Sequence, residues 1–307
     1  MEKKSQITII GAVNIDLIGY PDNELIFKDD NVGALETILG GVGRNIAENL
    51  ARLDVNVEFL TVFGDDHFAN EIKKSCDELG ISIKHSLVKK NAITSTFMAI
   101  MDKQNDMALG ISAMHIYDEI TKSFIVENLD IINNNKFCIL ETNIPKDILE
   151  LVVIKLPNTK FALDAVSGTK ALKAKNILNK LHILKCNLIE AELLSGIKVT
   201  SEYDYEKLVK YFINIGVKKV FVTLGKEGLI YGDKSIINRL KPMYIKPLNT
   251  TGGGDSFMAG LMFAELNNFD IHKMANTATV CAELTIQHKN TVSPKINKQT
   301  ILNKLND

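Results

Sequence analysis

Apolar residues along this chain follow two alternating rhythms. Runs at residues 7–11, 57–63, 137–140, 161–164, 183–186 and 220–224 are mostly apolar, as strands buried on both faces are, and residues 83–88 read as a further strand. Between them, apolar positions recur every three or four residues, which predicts helices over 44–53, 66–79, 121–130, 145–154, 169–180, 203–215, 257–266 and 271–286. This alternation predicts an α/β fold, a mostly parallel central sheet covered by helices on both faces. Two regions break the rhythm. Residues 17–38 hold β-like pieces at 17–20 and 32–38, separated by Pro21-Asp22-Asn23 and Lys28-Asp29-Asp30-Asn31. Residues 95–111 hold two strand-like runs flanking Asp102-Lys103-Gln104-Asn105. Neither region admits a helix of useful length, so both are assigned to a small separate sheet. No repeat, low-complexity tract or long linker interrupts the pattern. The expectation is one domain over residues 1–307, with the small sheet inserted at about 15–38 and 92–112.

Composition narrows the function. The chain has 307 residues, 46% of them hydrophobic and 24% charged, which is ordinary for a globular protein. A formal charge of −1 argues against sequence-independent nucleic-acid binding or a membrane-surface role. No window approaches the roughly 18 apolar residues of a membrane span. The charged start, Met1-Glu2-Lys3-Lys4, leads directly into a strand, so no signal peptide is expected. Cys76, Cys138, Cys186 and Cys281 form no Cys-x-x-Cys pair and read as reduced thiols of a cytoplasmic protein. The six histidines show no metal-ligand spacing.

The most informative stretch is Asn249-Thr250-Thr251-Gly252-Gly253-Gly254-Asp255, which runs into the apolar helix at 257–266. Glycines before a helix let the unpaired first-turn amides close around an anion. A carboxylate in the same turn is repulsive unless it has proton work to do, and phosphoryl transfer needs both an anion hole and a base. The bland alternative is a turn in which Asp255 caps the helix. Residues at strand ends supply further candidates. Asn14 and Asp16 leave the first strand with parallel aim, suited to the hydroxyls of a sugar or to a turn. Gly40 and Gly41 open the helix at 44–53, with Asn45 one turn on, and suit hydroxyl recognition. A dinucleotide fingerprint fails there because position 46 is Ile, and no Gly-x-x-x-x-Gly-Lys-Ser/Thr loop occurs anywhere. Glu141 and Asn143 follow the strand at 137–140 and can reach the same acceptor. Asn187 and Glu190 follow the strand at 183–186, as cap and first-turn acid or as ligands.

Asn249–Asp255, together with Gly40-Gly41-Val42-Gly43-Arg44-Asn45, resembles the two signatures of the ribokinase-like (PfkB) carbohydrate kinases, and the likeness runs over nearly the whole chain. Asn249 stands where many members carry Asp, and Gly253 where Ala is common. The resemblance implies a ribokinase-like three-layer α/β/α fold whose small β-sheet is a lid over the sugar and often a homodimer contact. It implies ATP and Mg²⁺, with K⁺ in many relatives beside the anion cradle, bound by the loop before it and residues 287–294. Asp255 becomes the catalytic base and Gly252, Gly253 and Gly254 the anion hole. Asn14, Asp16, Gly40, Gly41, Asn45 and Glu141 hold the acceptor. Asn187, Thr223, Gly225, Gly228 and Asn276 line ATP, and Glu190 reaches Mg²⁺ through water. Without the resemblance, Thr223, Gly225 and Gly228 read equally well as a β-turn, and Asn276 as an ordinary helix-face residue. The blocks 40–51, Ile116-Tyr117-Asp118-Glu119-Ile120-Thr121 and Asp164-Ala165-Val166-Ser167 are most similar to the pseudouridine kinase branch, which phosphorylates a nucleoside 5′-hydroxyl. Where that branch usually shows Asp-Met-Asp, this chain has Ala113-Met114-His115. Ribokinase is the alternative within the class, and a catalytically silent sugar- or nucleoside-binding sensor the alternative outside it.

Overall fold

The structure is a computed structural model that describes residues 5–104, 106–241 and 245–305. Residues 1–4, which carry the charged start, and Asn105, the last residue of the stretch 102–105 singled out above, lie outside the described residues. The strands are β1 (Ile7–Ile10), β2 (Asn14–Pro21), β3 (Gly33–Gly40), β4 (Val57–Leu60), β5 (Val62–Phe63), β6 (Leu87–Val88), β7 (Thr96–Met101), β8 (Met107–Ala113), β9 (Phe137–Glu141), β10 (Lys160–Asp164), β11 (Leu181–Asn187), β12 (Lys219–Thr223), β13 (Leu229–Asp233) and β14 (Ile237–Leu240). The helices are α1 (Val42–Arg52), α2 (His67–Glu78), α3 (Lys122–Glu127), α4 (Leu129–Asn133), α5 (Lys146–Lys155), α6 (Gly168–Ala171), α7 (Leu188–Ser195), α8 (Glu202–Ile215), α9 (Gly253–Leu266), α10 (Ile271–Ile286) and α11 (Lys298–Lys304).

Among the described residues the central sheet runs β14-β13-β12-β11-β10-β9-β1-β4. Its strands from β12 to β4 pair in parallel, and β13 and β14 close one edge antiparallel. Successive side chains of β1 feed opposite faces, so Ile7 and Ile9 enter one core and Ile10 the other. The first core packs against α1, α2, α9 and α10, and the second against α3, α5, α7 and α8. These are the three layers expected from the sequence. No helix among the described residues is long and apolar enough to cross a membrane.

The second sheet has the order β3-β2-β7-β8 and stands apart from the first. It grows out of β1 through residues 11–13, and Asn14 and Asp16 lie within its strand β2, not in a turn. Both segments expected to form it do so, with β2 and β3 longer than the pieces read at 17–20 and 32–38.

Four expected elements differ. The run at 57–63 is two strands, because Thr61 turns its backbone to the 82–88 segment: Ser86 Oγ accepts from Thr61 N, and Leu87 N donates to Thr61 O. Only Leu87–Val88 of the strand expected at 83–88 forms, pairing with β5. The helix expected at 169–180 is the single turn α6 followed by 3₁₀ turns, whose i→i+3 bonds (Lys175 N to Leu172 O, Ile177 N to Ala174 O) tighten the chain. Similarly, the helix read at 121–130 breaks at Asn128, whose side chain folds back to the Phe124 carbonyl.

One side chain fastens the small sheet to the core. Asp66 caps α2 by accepting from Ala69 N (2.8 Å), and it also accepts from Thr94 N and Thr94 Oγ1 (both 2.7 Å), just before β7. These donors outweigh burial and hold the carboxyl below its usual value. Asp66→Ala should lower stability by about 1–2 kcal/mol, a cap loss, seen as a lower urea midpoint.

Candidate active site

Strand register gathers polar residues at one edge of the central sheet. Glu141 and Asp164 are register neighbours at the ends of β9 and β10, Asp164 pairs with Lys185 of β11, and Asn187 pairs with Thr223 of β12. This carboxyl end is where open α/β sheets bind ligands.

The triple glycine forms the start of α9 over this edge. Gly252 is the N-cap at φ 82°, and a Cβ there would lie 1.9 Å from the Thr291 carbonyl, so only glycine fits. The helix has no side-chain cap, and its first intrahelical bond is Ser256 N to Gly252 O. The amides of Gly254 and Asp255 therefore remain available to an anion. Beneath them is Lys185, its Nζ 2.7 Å from where a Gly254 Cβ would stand and 2.9 Å from Asp164 Oδ2. Burial alone would lower the Lys185 pKa, but the Asp164 and Glu190 charges reverse that and hold it above its usual value. A fixed positive charge thus backs the helix start.

Asp255, half-buried at the third position of α9, does not cap the helix. Its Oδ2 accepts from Asn45 Nδ2 at 2.8 Å. Burial, then the Asp164 charge, pushes its carboxyl up to about 7, against the Asn45 hydrogen bond and the Lys185 and Arg44 charges. A carboxylate of that basicity is matched to taking a proton near neutral pH.

On the other side, β2 and β3 bring Asn14, Asp16 and Gly40 together. Asn14 Nδ2 donates to Asp16 Oδ1 (2.5 Å), and Asn14 Oδ1 accepts from Ser95 Oγ (2.6 Å). Gly40 leaves room for the Asp16 carboxylate, which would lie 2.6 Å from a Cβ. Burial raises the Asp16 pKa, with Asn14 and Arg44 opposing. Gly41 is the N-cap of α1, which puts Asn45 in that helix's first turn beside Asp255. Glu141 is wholly buried. It accepts from Ala12 N and, at 2.7 Å, from Asn143 N and Nδ2, and burial pushes it to about 7. Asn143 in turn accepts from Lys170 Nζ (2.5 Å). Beyond it opens a cavity of about 220 Å³ whose walls include Ser112 of β8, Tyr117, Asp118, Asn143, Lys170 and Lys173. Tyr117 donates its hydroxyl to the Val13 carbonyl, which ties this cavity to the start of β2.

The nucleotide-side residues cluster less tightly. Asn187 and Glu190 form a capping box at the start of α7, with Asn187 N and Nδ2 donating to the two Glu190 oxygens at 2.8 and 2.7 Å. Thr223 stands beside Asn187, and Gly225 and Gly228 bracket the tight turn after β12, both at positive φ. Asn276 is exposed on α10, ten residues and roughly 15 Å along the helix from Ile286 at the cradle. No hydrogen bond among the described residues ties it to the others.

No group of three or more His, Cys, Asp and Glu among the described residues could hold a metal. With both oxygens engaged, Glu190 fits a magnesium held through water and by phosphate, not a protein cage. In the loop before the cradle, Asn249 Nδ2 donates to the Lys289 carbonyl (2.8 Å) and Oδ1 accepts from Thr251 N (2.9 Å), so an amide joins the two segments.

Sequence reasoning passed over Lys185, Asp164, Lys170 and Arg44. Lys185 had a signal, being a charged residue inside the apolar run at 183–186. Arg44 and Asp164 stood inside the stretches 40–45 and 164–167 that carried the resemblance but were given no role, and Lys170 gave no signal, since its partner Asn143 lies 27 residues away.

A helix start with unpaired amides, set beside a carboxyl group of raised pKa, fits the class that the comparisons show, the ATP-dependent sugar and nucleoside kinases. The chain belongs to the pfkB family of carbohydrate kinases, which it matches over residues 4–298. It is 29% identical over 303 residues to pseudouridine kinase of Escherichia coli K12, covering 98% of this chain and 97% of that protein. A putative sugar kinase from Clostridium perfringens superposes with a TM-score of 0.89 at 31% identity, over 99% of this chain and 96% of that one. Ribokinase of Arabidopsis thaliana, solved with ribose and ATP, gives a TM-score of 0.87 at 20% identity over 99% and 100% of the two chains, a likeness of fold.

Burying Asp255 has a cost with a definite sign. Its folded value, about 7, lies above the ordinary 3.8, so the native state holds the proton more tightly than the unfolded chain does. That contribution is fully present below about pH 4 and is lost as pH rises through 7. Glu141 acts in the same direction. Asp255→Asn should therefore raise the urea midpoint at pH 8 and leave it nearly unchanged at pH 4.

Proposed function

We propose that this kinase transfers the γ-phosphoryl group of ATP to the primary 5′-hydroxyl of a nucleoside, with pseudouridine the best reading of the acceptor. The observation that carries the mechanism is Asp255, held by Asn45 and raised to about 7 beside the unpaired amides of α9. In this reading Asp255 takes the hydroxyl proton as the alcohol oxygen bonds to phosphorus and the bond to ADP breaks. The amides of Gly254 and Asp255 and the Lys185 charge stabilise the equatorial oxygens in transit, the Gly253 amide being turned to the Thr250 carbonyl. Asn14, Asp16, Gly40, Gly41 and Glu141 hold the acceptor, with Asn45 serving it through Asp255. ATP lies along Asn187, Thr223, Gly225 and Gly228, with its adenine toward Asn276. Glu190 would hold magnesium through water, and the ion would supply charge neutralisation to the phosphates.

The cavity beside Asn143 favours a nucleoside over a free pentose. It lies beyond the acceptor residues and offers ammonium donors (Lys170, Lys173) and a carboxylate acceptor (Asp118), a set that suits the carbonyls and N–H groups of a pyrimidine ring. The relative from Escherichia coli is in keeping with this. The exposed apolar residues of β8, Met107, Leu109 and Ile111 at 58, 55 and 57%, support a second copy of the chain as partner of the lid.

Asp255→Asn should lower kcat by about 10²–10⁴-fold while leaving ATP binding by calorimetry intact; an active variant would remove the base. ATP consumption should be faster with pseudouridine than with ribose or purine nucleosides, and the reverse order would favour ribokinase. Absence of ATP consumption with every acceptor in the panel would leave only the sensor. Because the Asn249 amide already bridges to Lys289, activity should change less than twofold when potassium replaces sodium.

A further inference from the structure

The orientation of Asp255 depends on one hydrogen bond, and an asparagine amide can present either end to a carboxyl group. Facing inward with Nδ2, Asn45 favours the ionised base. Facing inward with Oδ1, it would accept a hydrogen bond from the protonated acid and trap it. The difference decides whether Asp255 can work.

Arg44 fixes the choice. Its guanidinium offers donors only, and its Nη2 lies 3.0 Å from Asn45 Oδ1, so the carbonyl end is claimed and Nδ2 is left for Asp255. Arg44 is itself immobilised. Its Nη1 pairs with Glu48 Oε2 at 2.8 Å, and Glu48 Oε1 takes Arg52 Nη2 at 2.8 Å, each one helical turn along α1. Stability alone does not account for this arrangement. Arg44 is only 4% exposed, and its Nε is buried with no partner, whereas an apolar side chain of similar volume would pack there without that penalty.

We propose that Arg44 is a positioning residue for phosphoryl transfer: through its hydrogen bond to Asn45 it sets the amide so that Nδ2 faces Asp255, and so keeps the base ready to accept a proton. The proposal rests on the reading of Asp255 as the base. Four groups face that carboxyl: Asp164 from β10, Lys185 from β11, and Arg44 and Asn45 from α1. Of these, only the Arg44–Asn45 pair ties the state of the base to the direction of an amide.

The test is the pH profile of Arg44→Met, in which Glu48 keeps Arg52. Loss of the guanidinium and release of the amide should move the acid limb of kcat up by about one pH unit. The rate should fall about tenfold at pH 6 and return toward that of the unmodified enzyme at pH 9, with the KM for ATP unchanged. Arg44→Lys, also a donor only, should bring the limb most of the way back. An unmoved limb, or an equal loss at every pH, would overturn the proposal. If Arg44→Met does not fold, Asn45→Asp keeps the Arg44 ion pairs and removes the donor facing Asp255; the same upward movement is expected, and an unmoved limb again overturns it. Asp255→Asn run alongside separates the two ideas, since activity in that variant sinks the base whatever Arg44 does.

Discussion

The site depends on a conflict of charge held in place by packing. The first turn of α9 invites an anion, yet the same turn carries Asp255, and Asp164 lies close enough to raise it further. Lys185 keeps the arrangement tolerable. Buried and paired with Asp164, it puts a permanent positive charge under Gly254, where any side chain larger than hydrogen would collide with it. Breaking such a pair by removing one partner typically costs about 3–5 kcal/mol. The start of α9, Asp255 and the strand ends below are thus one electrostatic unit.

That unit explains the placing of the remaining parts. Glu141 is spent on backbone and on Asn143, not on bulk solvent, and so orders the wall of the cavity beside Asn143. Asn187 and Glu190 engage each other across the α7 cap, which leaves them suited to meeting phosphates indirectly. In both cases polar side chains at strand ends satisfy one another first, and a ligand would meet the surface they leave.

Much of this was legible before any coordinates. Strand-helix alternation gave the layered sheet, and the two aperiodic segments gave the separate one, because burial on one or two faces imprints its period on the sequence. Gly252 was legible too, as three glycines ahead of an apolar helix have few other uses. The misread elements were those decided by distant partners: Thr61 diverts its strand because of Ser86, and residues 172–180 coil into 3₁₀ turns although their apolar spacing suits an α-helix. The site shows the same limit. Asp255 could be singled out from local chemistry, but its partner Asn45 lies 210 residues away and was assigned to the acceptor alone.

Strand β2 begins in the core and ends in the outer sheet, and Asp16 rides on it while Asp255 is anchored in α9. Under the proposed roles, the residue that grips the alcohol stands on the small sheet and the residue that deprotonates it on a helix of the central layers. The gap between them is therefore set by how that sheet seats on the core through Asp66, Thr94, Ser95 and Tyr117.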